Sequence, residues 1–309
     1  MMPEFAYPFT AWMMVLLCWF VPAVADQPTI VDLVIVAGQS NAVGYDAKPS
    51  ELPVDASDKD VRFWWKTGDP PPDEHDSNSN QKWTHLQSQP LGNPIQPRHD
   101  RQYGNFAQSS GGFGPEIGFA REWQKHCKRR LAIVKTAFSG TGLGRDWDPK
   151  SDGESGACFR TMVSEVKKAI ESARADNLNL QPQAILWVQG ESDANAVDVE
   201  LYAKRLQQML GELRIQLNSP SLKALVAVNT RFHEGRNLFM PEIVQAQRDY
   251  ADADPLCVYV DTAEASIAND VHFDAQGTLL VGQLFAASLR IFDAPEIPDN
   301  AKSPHAVGN

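Results

Sequence analysis

Two side chains stand out by chemical type and by setting. Ser40 follows an apolar run in residues 34–44, VIVAGQSNAVG, with Gln39 and Asn41 on either side. His272 lies in residues 269–277, NDVHFDAQG, just before a helical pattern. A serine hydroxyl is a weak nucleophile, and a neutral imidazole is the group suited to take its proton. Acyl transfer also needs a partner that orients the imidazole and donors aimed at the developing oxyanion. Two glycine- and amide-bearing segments offer such donors: FSGTGL at residues 138–143 and QGESDA at 189–194. Taken singly, a serine between Gly and Asn reads as a turn, and a histidine beside Phe273 reads as a packed ring. Together the four segments supply one part each of a serine esterase.

The elements around them must bring these parts together. Apolar runs of strand length occur at residues 30–37, 61–65, 131–137, 184–188, 222–228 and 256–260. Most are continuous rather than alternating, as in strands covered on both faces. Helical stripes lie between them: Phe159, Met162, Val163, Val166, Ile170 and Ala173; then Tyr202, Leu206, Met209, Leu210, Leu213 and Leu217; then Leu280, Leu284, Ala287 and Ile291. Gly114-Pro115-Glu116 opens a further helix, with Glu116 expected to cap it. This alternation predicts an α/β fold, a central parallel sheet between two helical layers. Ser40 and the segments at 138–143 and 189–194 each follow a strand, at the sheet end where open α/β folds bind ligands.

Residues 46–112 interrupt the rhythm as a long insert rich in Pro, Asn, Gln and Trp. Trp64, Trp65, Trp83 and Tyr103 favour an ordered insert, whether by packing on the sheet or by stacking on sugar. One domain over residues 26–295 is expected, with a tail at 296–309. Residues 11–24, AWMMVLLCWFVPAV, are too short for a comfortable membrane span and run into Ala23-Val24-Ala25. They read as a signal peptide cleaved after Ala25, giving a secreted or periplasmic protein. Leu17 stands before Cys18 where a lipoprotein box wants a small residue.

Composition narrows the function classes. Of 309 residues 43% are hydrophobic and 22% charged, a globular balance. A net charge of −11 argues against nucleic-acid binding, which needs basic patches for phosphate. Cys127, Cys158 and Cys257 are widely spaced, so no disulfide framework is indicated, although one bridge remains open. The scattered histidines lack metal-ligand spacing, and the acidic loop at 69–80 lacks the order of an EF-hand. Neither metal nor cofactor is expected. Oligomeric state is not legible.

In order along the chain, GQSN, GPEIGFA, FSGTGL, WVQGESD and VHFDAQG resemble the SGNH/GDSL hydrolase superfamily. More closely they resemble its carbohydrate acetylesterases, the sialate O-acetylesterase-like domain and the sixth carbohydrate esterase family. The resemblance covers roughly residues 31–289. It implies a flavodoxin-like three-layer α/β/α fold, an acetylated carbohydrate as substrate, Ser40 as nucleophile and His272 as base. It also implies oxyanion donors from the Ser40 and Gly140 backbone N–H groups and the Gln189 side chain, with Asn41 and Glu191 bracing the site. The superfamily usually places an Asp three residues before its His; here Asn269 holds that place and Asp270 follows it. Asp270 through a shifted turn, Asn269 as a neutral acceptor, or a backbone carbonyl are the three ways to orient His272; Asp270, the nearest carboxylate on its N-terminal side, is favoured. The competing readings are a catalytically silent glycan-binding domain of the same fold and an anion-binding nest at residues 38–44. The latter lacks the G-x-x-x-x-G-K pattern and has no use for the His-bearing motif.

Overall fold

The computed structural model describes residues 27–69, 75–95, 105–153 and 155–293. The expected signal peptide, Tyr103 and the tail from residue 296 lie outside them. The described strands are β1 (Thr29–Gly38), β2 (Arg62–Lys66), β3 (His75–Asp76), β4 (Thr84–His85), β5 (Asn93–Pro94), β6 (Leu131–Ala137), β7 (Leu178–Val188), β8 (Lys223–Ala227) and β9 (Cys257–Tyr259). The α-helices are α1 (Ser40–Val43), α2 (Glu116–His126), α3 (Ala157–Arg174), α4 (Tyr202–Gln216), α5 (Met240–Ala253) and α6 (Ala275–Leu289).

Seven of these strands form one sheet in the order β4-β2-β6-β1-β7-β8-β9. All its pairings are parallel except β2 with β4 at the edge. Leaving aside β2 and β4, the order is that of a flavodoxin-like sheet, reversing direction at β1. The carboxyl ends of β6, β1 and β7 are therefore neighbours at the switch point, and the three motif loops leave from those ends. The continuous apolar runs have their cause here: β6 is buried from Leu131 to Ala137, and β1 from Val31 to Gly38.

The helices cover both faces. On one side Phe159 and Met162 of α3, Leu206 and Met209 of α4 and Ile243 of α5 pack against Leu33, Ile35 and Trp187. On the other, Ile117 and Phe119 of α2 and Val281 and Phe285 of α6 pack against Val34, Val36 and Leu186. Helices α2 and α6 cross nearly backbone to backbone. A Cβ at Gly118 would stand 2.0 Å from the Leu279 carbonyl oxygen, and one at Gly282 2.2 Å from that of Pro115. Only glycine fits at that crossing.

The insert is ordered where it is described. Its apolar stretch becomes β2 beside β6, while β3 pairs with β5 as a small separate ribbon. Its tryptophans pack. Trp64 is buried and donates to Glu165 Oε2 at 2.9 Å, and Trp83 meets it edge-on at 5.6 Å between ring centroids. Trp65 is buried and donates to Ser77 Oγ. Cys127, Cys158 and Cys257 form no disulfide with one another. No helix among the described residues is long and apolar enough to cross a membrane.

Candidate active site

Strand β1 ends at Gly38, and α1 begins two residues later with Ser40 itself. The turn is short because Gly44 takes a left-handed conformation (φ 83°) and closes the helix by donating to the Ser40 carbonyl. Beneath it, Lys135 of β6 is fully buried and donates to the Val43 carbonyl at 2.7 Å. Its ammonium also meets Glu116 Oε1 at 2.9 Å and Gln89 Oε1 at 2.7 Å. Burial pushes the Lys135 ammonium below its ordinary value despite Glu116. Glu116 accepts from Gly114 N–H as well, so its carboxylate braces the floor under the Ser40 turn rather than a helix end alone.

His272 comes from a hairpin-like turn, in which Ala268 N–H donates to the His272 carbonyl and Ile267 bridges Phe273. Asn41 ties this turn to the end of β1 and to residue 191. Its Nδ2 donates to Glu191 Oε1 at 2.7 Å and to the Val271 carbonyl at 3.2 Å, and its Oδ1 accepts from Phe273 N–H. Glu191 Oε1 accepts also from Asn229 N–H. Burial raises the Glu191 carboxyl above its ordinary value, and Oε2 has no partner among the described residues.

The carboxylate on His272 is that of Asp46. Its Oδ2 lies 2.8 Å from His272 Nδ1 and accepts from Asn269 Nδ2 at 2.8 Å. Partial burial pushes the Asp46 carboxyl up, but the hydrogen bonds from His272 and Asn269 outweigh it and the net displacement is downward. An ionised Asp46 is acceptor-only, so Nδ1 is the donor, and in the neutral imidazole the lone pair is then on Nε2.

Asp270, expected to orient His272, does not. Its Oδ2 sits 3.3 Å from His233 Nδ1, and its carbonyl accepts from His233 N–H. The reason is local: Asn269 Oδ1 accepts from both Val271 and His272 N–H groups, a tight Asx turn that directs residue 270 away from the imidazole. Asn269 touches the Asp46 carboxylate as a donor, not the imidazole as an acceptor.

Gln189 also departs from expectation. Its side-chain Nε2 donates to the Thr141 carbonyl at 3.2 Å and to Asp193 Oδ2 at 2.5 Å. Both amide hydrogens are spent, and the residue is fully buried. It clamps the 138–143 segment to Asp193 and does not present a donor to an oxyanion. The Ser40 and Gly140 backbone N–H groups have no acceptor among the described residues. They are the two expected donors that the structure leaves available.

Ser40, Gly140 and His272 line one hollow of 250 Å³, walled by Tyr45, Phe232 and Val271. The Tyr45 ring stands 4.5 Å from that of His272, tilted by 33°. Gln39, next to the serine, is held by Ser192 N–H at 3.1 Å. The arrangement can activate a hydroxyl, stabilise an oxyanion with backbone donors and hold a small apolar acyl group.

A sequence model of the family described as carbohydrate esterase, sialic acid-specific acetylesterase matches residues 30–290. The fold is similar to that of a protein from Arabidopsis thaliana (TM-score 0.59, 19% identity), covering 85% of this chain and 98% of that one. It is similar also to NanS (TM-score 0.55, 14% identity), covering 86% of this chain and 98% of that one. A carbohydrate acetylesterase from Xanthomonas citri shares it at TM-score 0.52 and 17% identity, over 84% of this chain and 56% of that one. At these identities the likeness is one of fold. No curated protein matches. The family match runs from β1 through the turns that carry Ser40 and His272 to the end of α6, and the chain belongs to this family of carbohydrate esterases, which are carboxylic ester hydrolases.

Proposed function

We propose that the protein removes O-acetyl groups from a carbohydrate through an acetyl-enzyme on Ser40. His272 serves as general base and Asp46 as the carboxylate that orients it. The observation that carries this reading is the 2.8 Å contact from Asp46 Oδ2 to His272 Nδ1, in a site whose hollow also holds Ser40 and Gly140. Ser40 Oγ attacks the acetyl carbon while its proton passes to His272 Nε2. Asp46 stabilises the imidazolium so formed. The carbonyl oxygen becomes an oxyanion facing the Ser40 and Gly140 N–H groups. Collapse breaks the bond to the sugar oxygen, which leaves with the proton from Nε2. Water, deprotonated by the same nitrogen, then attacks the acetyl-serine; acetate departs, and the proton returns to Ser40.

The test is hydrolysis of p-nitrophenyl acetate by the wild type and by Ser40→Ala. The variant is expected to lose at least about three powers of ten in kcat with the fold intact by circular dichroism. A fluorophosphonate probe should label the wild type at Ser40 only. Activity within a few-fold of wild type in Ser40→Ala would remove this serine from the mechanism. A wild type inert towards every ester would leave the glycan-binding alternative.

The same reading has the protein exported. Its support is the apolar stretch at residues 11–24 ending in Ala23-Val24-Ala25. Expression in a secreting host should yield a chain whose first residue is Asp26. A chain retaining residues 1–25 would overturn it.

A further inference from the structure

The loop that follows β8 carries one wall of the hollow that holds Ser40. Phe232 lines that hollow together with Tyr45, Val271 and His272. The next two residues, His233 (φ 52°, ψ 40°) and Glu234 (φ 55°, ψ 31°), both stand in the left-handed region. Successive non-glycine residues hold that conformation only where their surroundings impose it. The loop is anchored at either end. Asn229 Nδ2 donates to the Val271 carbonyl at 3.0 Å, and Asn237 Nδ2 to the Ala194 carbonyl at 3.1 Å. Between these anchors, the hydrogen bonds that leave residues 232–236 reach a single residue among those described, Asp270. His233 N–H donates to the Asp270 carbonyl, and His233 Nδ1 lies 3.3 Å from Asp270 Oδ2.

We propose that the His233–Asp270 pair is a latch that sets the width of the acyl hollow, and with it the length of acyl group that fits. The proposal deepens the acetylesterase reading and rests on it. Asp270 sits two residues before His272 on the same turn, and His233 directly follows Phe232. The pair therefore joins two opposite walls of the hollow, the histidine turn and the Phe232 loop. The Phe232 and His233 rings stand 4.1 Å apart, tilted by 49°, so fixing one ring limits the other. The remaining charges of the loop face each other: Arg236 Nη2 lies 3.1 Å from Glu234 Oε2. His233 is left as the side chain that reaches across.

With the latch closed, Phe232 is held near the turn and the space beside Ser40 takes a short acyl chain. With it open, the left-handed residues are free to relax, the wall recedes and a longer chain enters. His233 and Asp270 touch no substrate in this account; they are positioning residues, and Phe232 is the surface they place. Their side chains are 48% and 44% exposed, and such pairs are weak, so the expected effect is a few-fold.

The test is the ratio of kcat/KM on p-nitrophenyl acetate to that on p-nitrophenyl butyrate. The two esters share a leaving group, so the ratio reads the acyl side and is independent of the amount of folded enzyme. The wild type is expected to favour acetate by about tenfold or more, the penalty for surplus methylenes in a fitted apolar pocket. Phe232→Ala, which removes the wall itself, should lower the ratio by about tenfold. His233→Asp sets two carboxylates against each other and Asp270→His two imidazoles; aspartate accepts the left-handed conformation at 233. Each should lower the ratio by about threefold. The exchanged protein, His233→Asp/Asp270→His, restores opposite partners and should return to within about twofold of wild type. A ratio unchanged in Phe232→Ala or in both single variants would overturn the latch and leave the esterase reading intact. So would losses that merely add in the exchanged protein, or a wild type that hydrolyses both esters equally well. No hydrolysis of either ester would sink the esterase reading and the latch together.

Discussion

At the scale of the residue, the carboxylate proposed to orient His272 and the amide beside it form one unit. Asp46 Oδ2 receives hydrogen bonds from His272 Nδ1 and from Asn269 Nδ2, both at 2.8 Å. Were residue 269 an Asp, as in the usual spacing, two carboxylates would share that spot, and one would be driven to hold a proton. A neutral donor at 269 is what lets Asp46 stay ionised. Exchanging the two chemistries is then a sharp test. Asp46→Asn alone should lower kcat on p-nitrophenyl acetate by roughly two to four powers of ten, since the imidazole loses its anionic partner. Asn269→Asp alone should also impair it and move the acidic limb of the pH–rate profile upward. The double variant Asp46→Asn/Asn269→Asp should recover at least about tenfold over Asp46→Asn, because a carboxylate again faces a neutral amide. Strictly additive losses would mean the two positions act independently. Ser40 and His272, which the structure places in one hollow, could be picked out as candidates because strand ends and glycine-bearing turns mark them locally. Asp46 was not, because its partner lies 226 residues away and no spacing rule connects them. Asp270 misled through proximity along the chain, which an Asx turn made irrelevant.

At the scale of the element, apolar periodicity located most of the sheet and helices and failed where a polar residue occupies a core position. Helix α5 buries Met240, Ile243, Gln247 and Tyr250 on one face. Gln247 interrupts the stripe, yet its Nε2 donates to the Gln189 carbonyl and to the Tyr202 hydroxyl, both at 2.9 Å. It belongs inside because it closes a network. Strand β7 starts six residues before its apolar run; Asn179 and Gln181 alternate outward there, and the register against β1 shifts between Leu33 and Val34. Gln189 was misassigned for a related reason: a strand end locates the residue but not the direction of its side chain. Lys135 is the strongest case of a charge inside a strand. It joins β6, α1, the insert through Gln89 and α2 through Glu116. Lys135→Met should cost about 3–5 kcal/mol by urea unfolding, since it strands the Glu116 carboxylate in the core. Glu116→Gln combined with it should cost clearly less than the two single changes summed. A double-mutant cycle with no interaction energy would show that the contact does not couple these elements.

At the scale of the molecule, the switch-point crevice is held together by a carboxylate that would be more stable protonated. Asp193 leaves the end of β7, accepts from Leu143 N–H of the segment after β6 at 3.2 and 3.0 Å, and faces Arg205 of α4. Three elements from both sides of the crevice thus meet on one side chain that is 1% exposed. Burial raises its carboxyl from 3.8 to about 6, against the opposing hydrogen bonds from Leu143 and Gln189. The sign follows from which state releases the proton first. Below pH 3.8 both folded and unfolded chains hold it, and the contribution to stability is fully present. Between 3.8 and about 6 the unfolded chain ionises while the folded one does not, so stability falls as pH rises. Above about 6 both are ionised and the loss is complete, on the order of 3 kcal/mol at 1.36 kcal/mol per unit of displacement. Asp193→Asn removes this proton linkage while keeping the shape of the side chain. The stability of the variant relative to wild type, from urea unfolding at pH 4, 5, 6 and 7, should therefore rise through that interval and level off above it. The acidic balance of the whole chain, −11, is nearly common to both proteins and cancels in the difference. A difference that stays flat from pH 4 to 7 would mean that Asp193 ionises in the folded protein as easily as in water, and that its contacts across the crevice offset its burial in full.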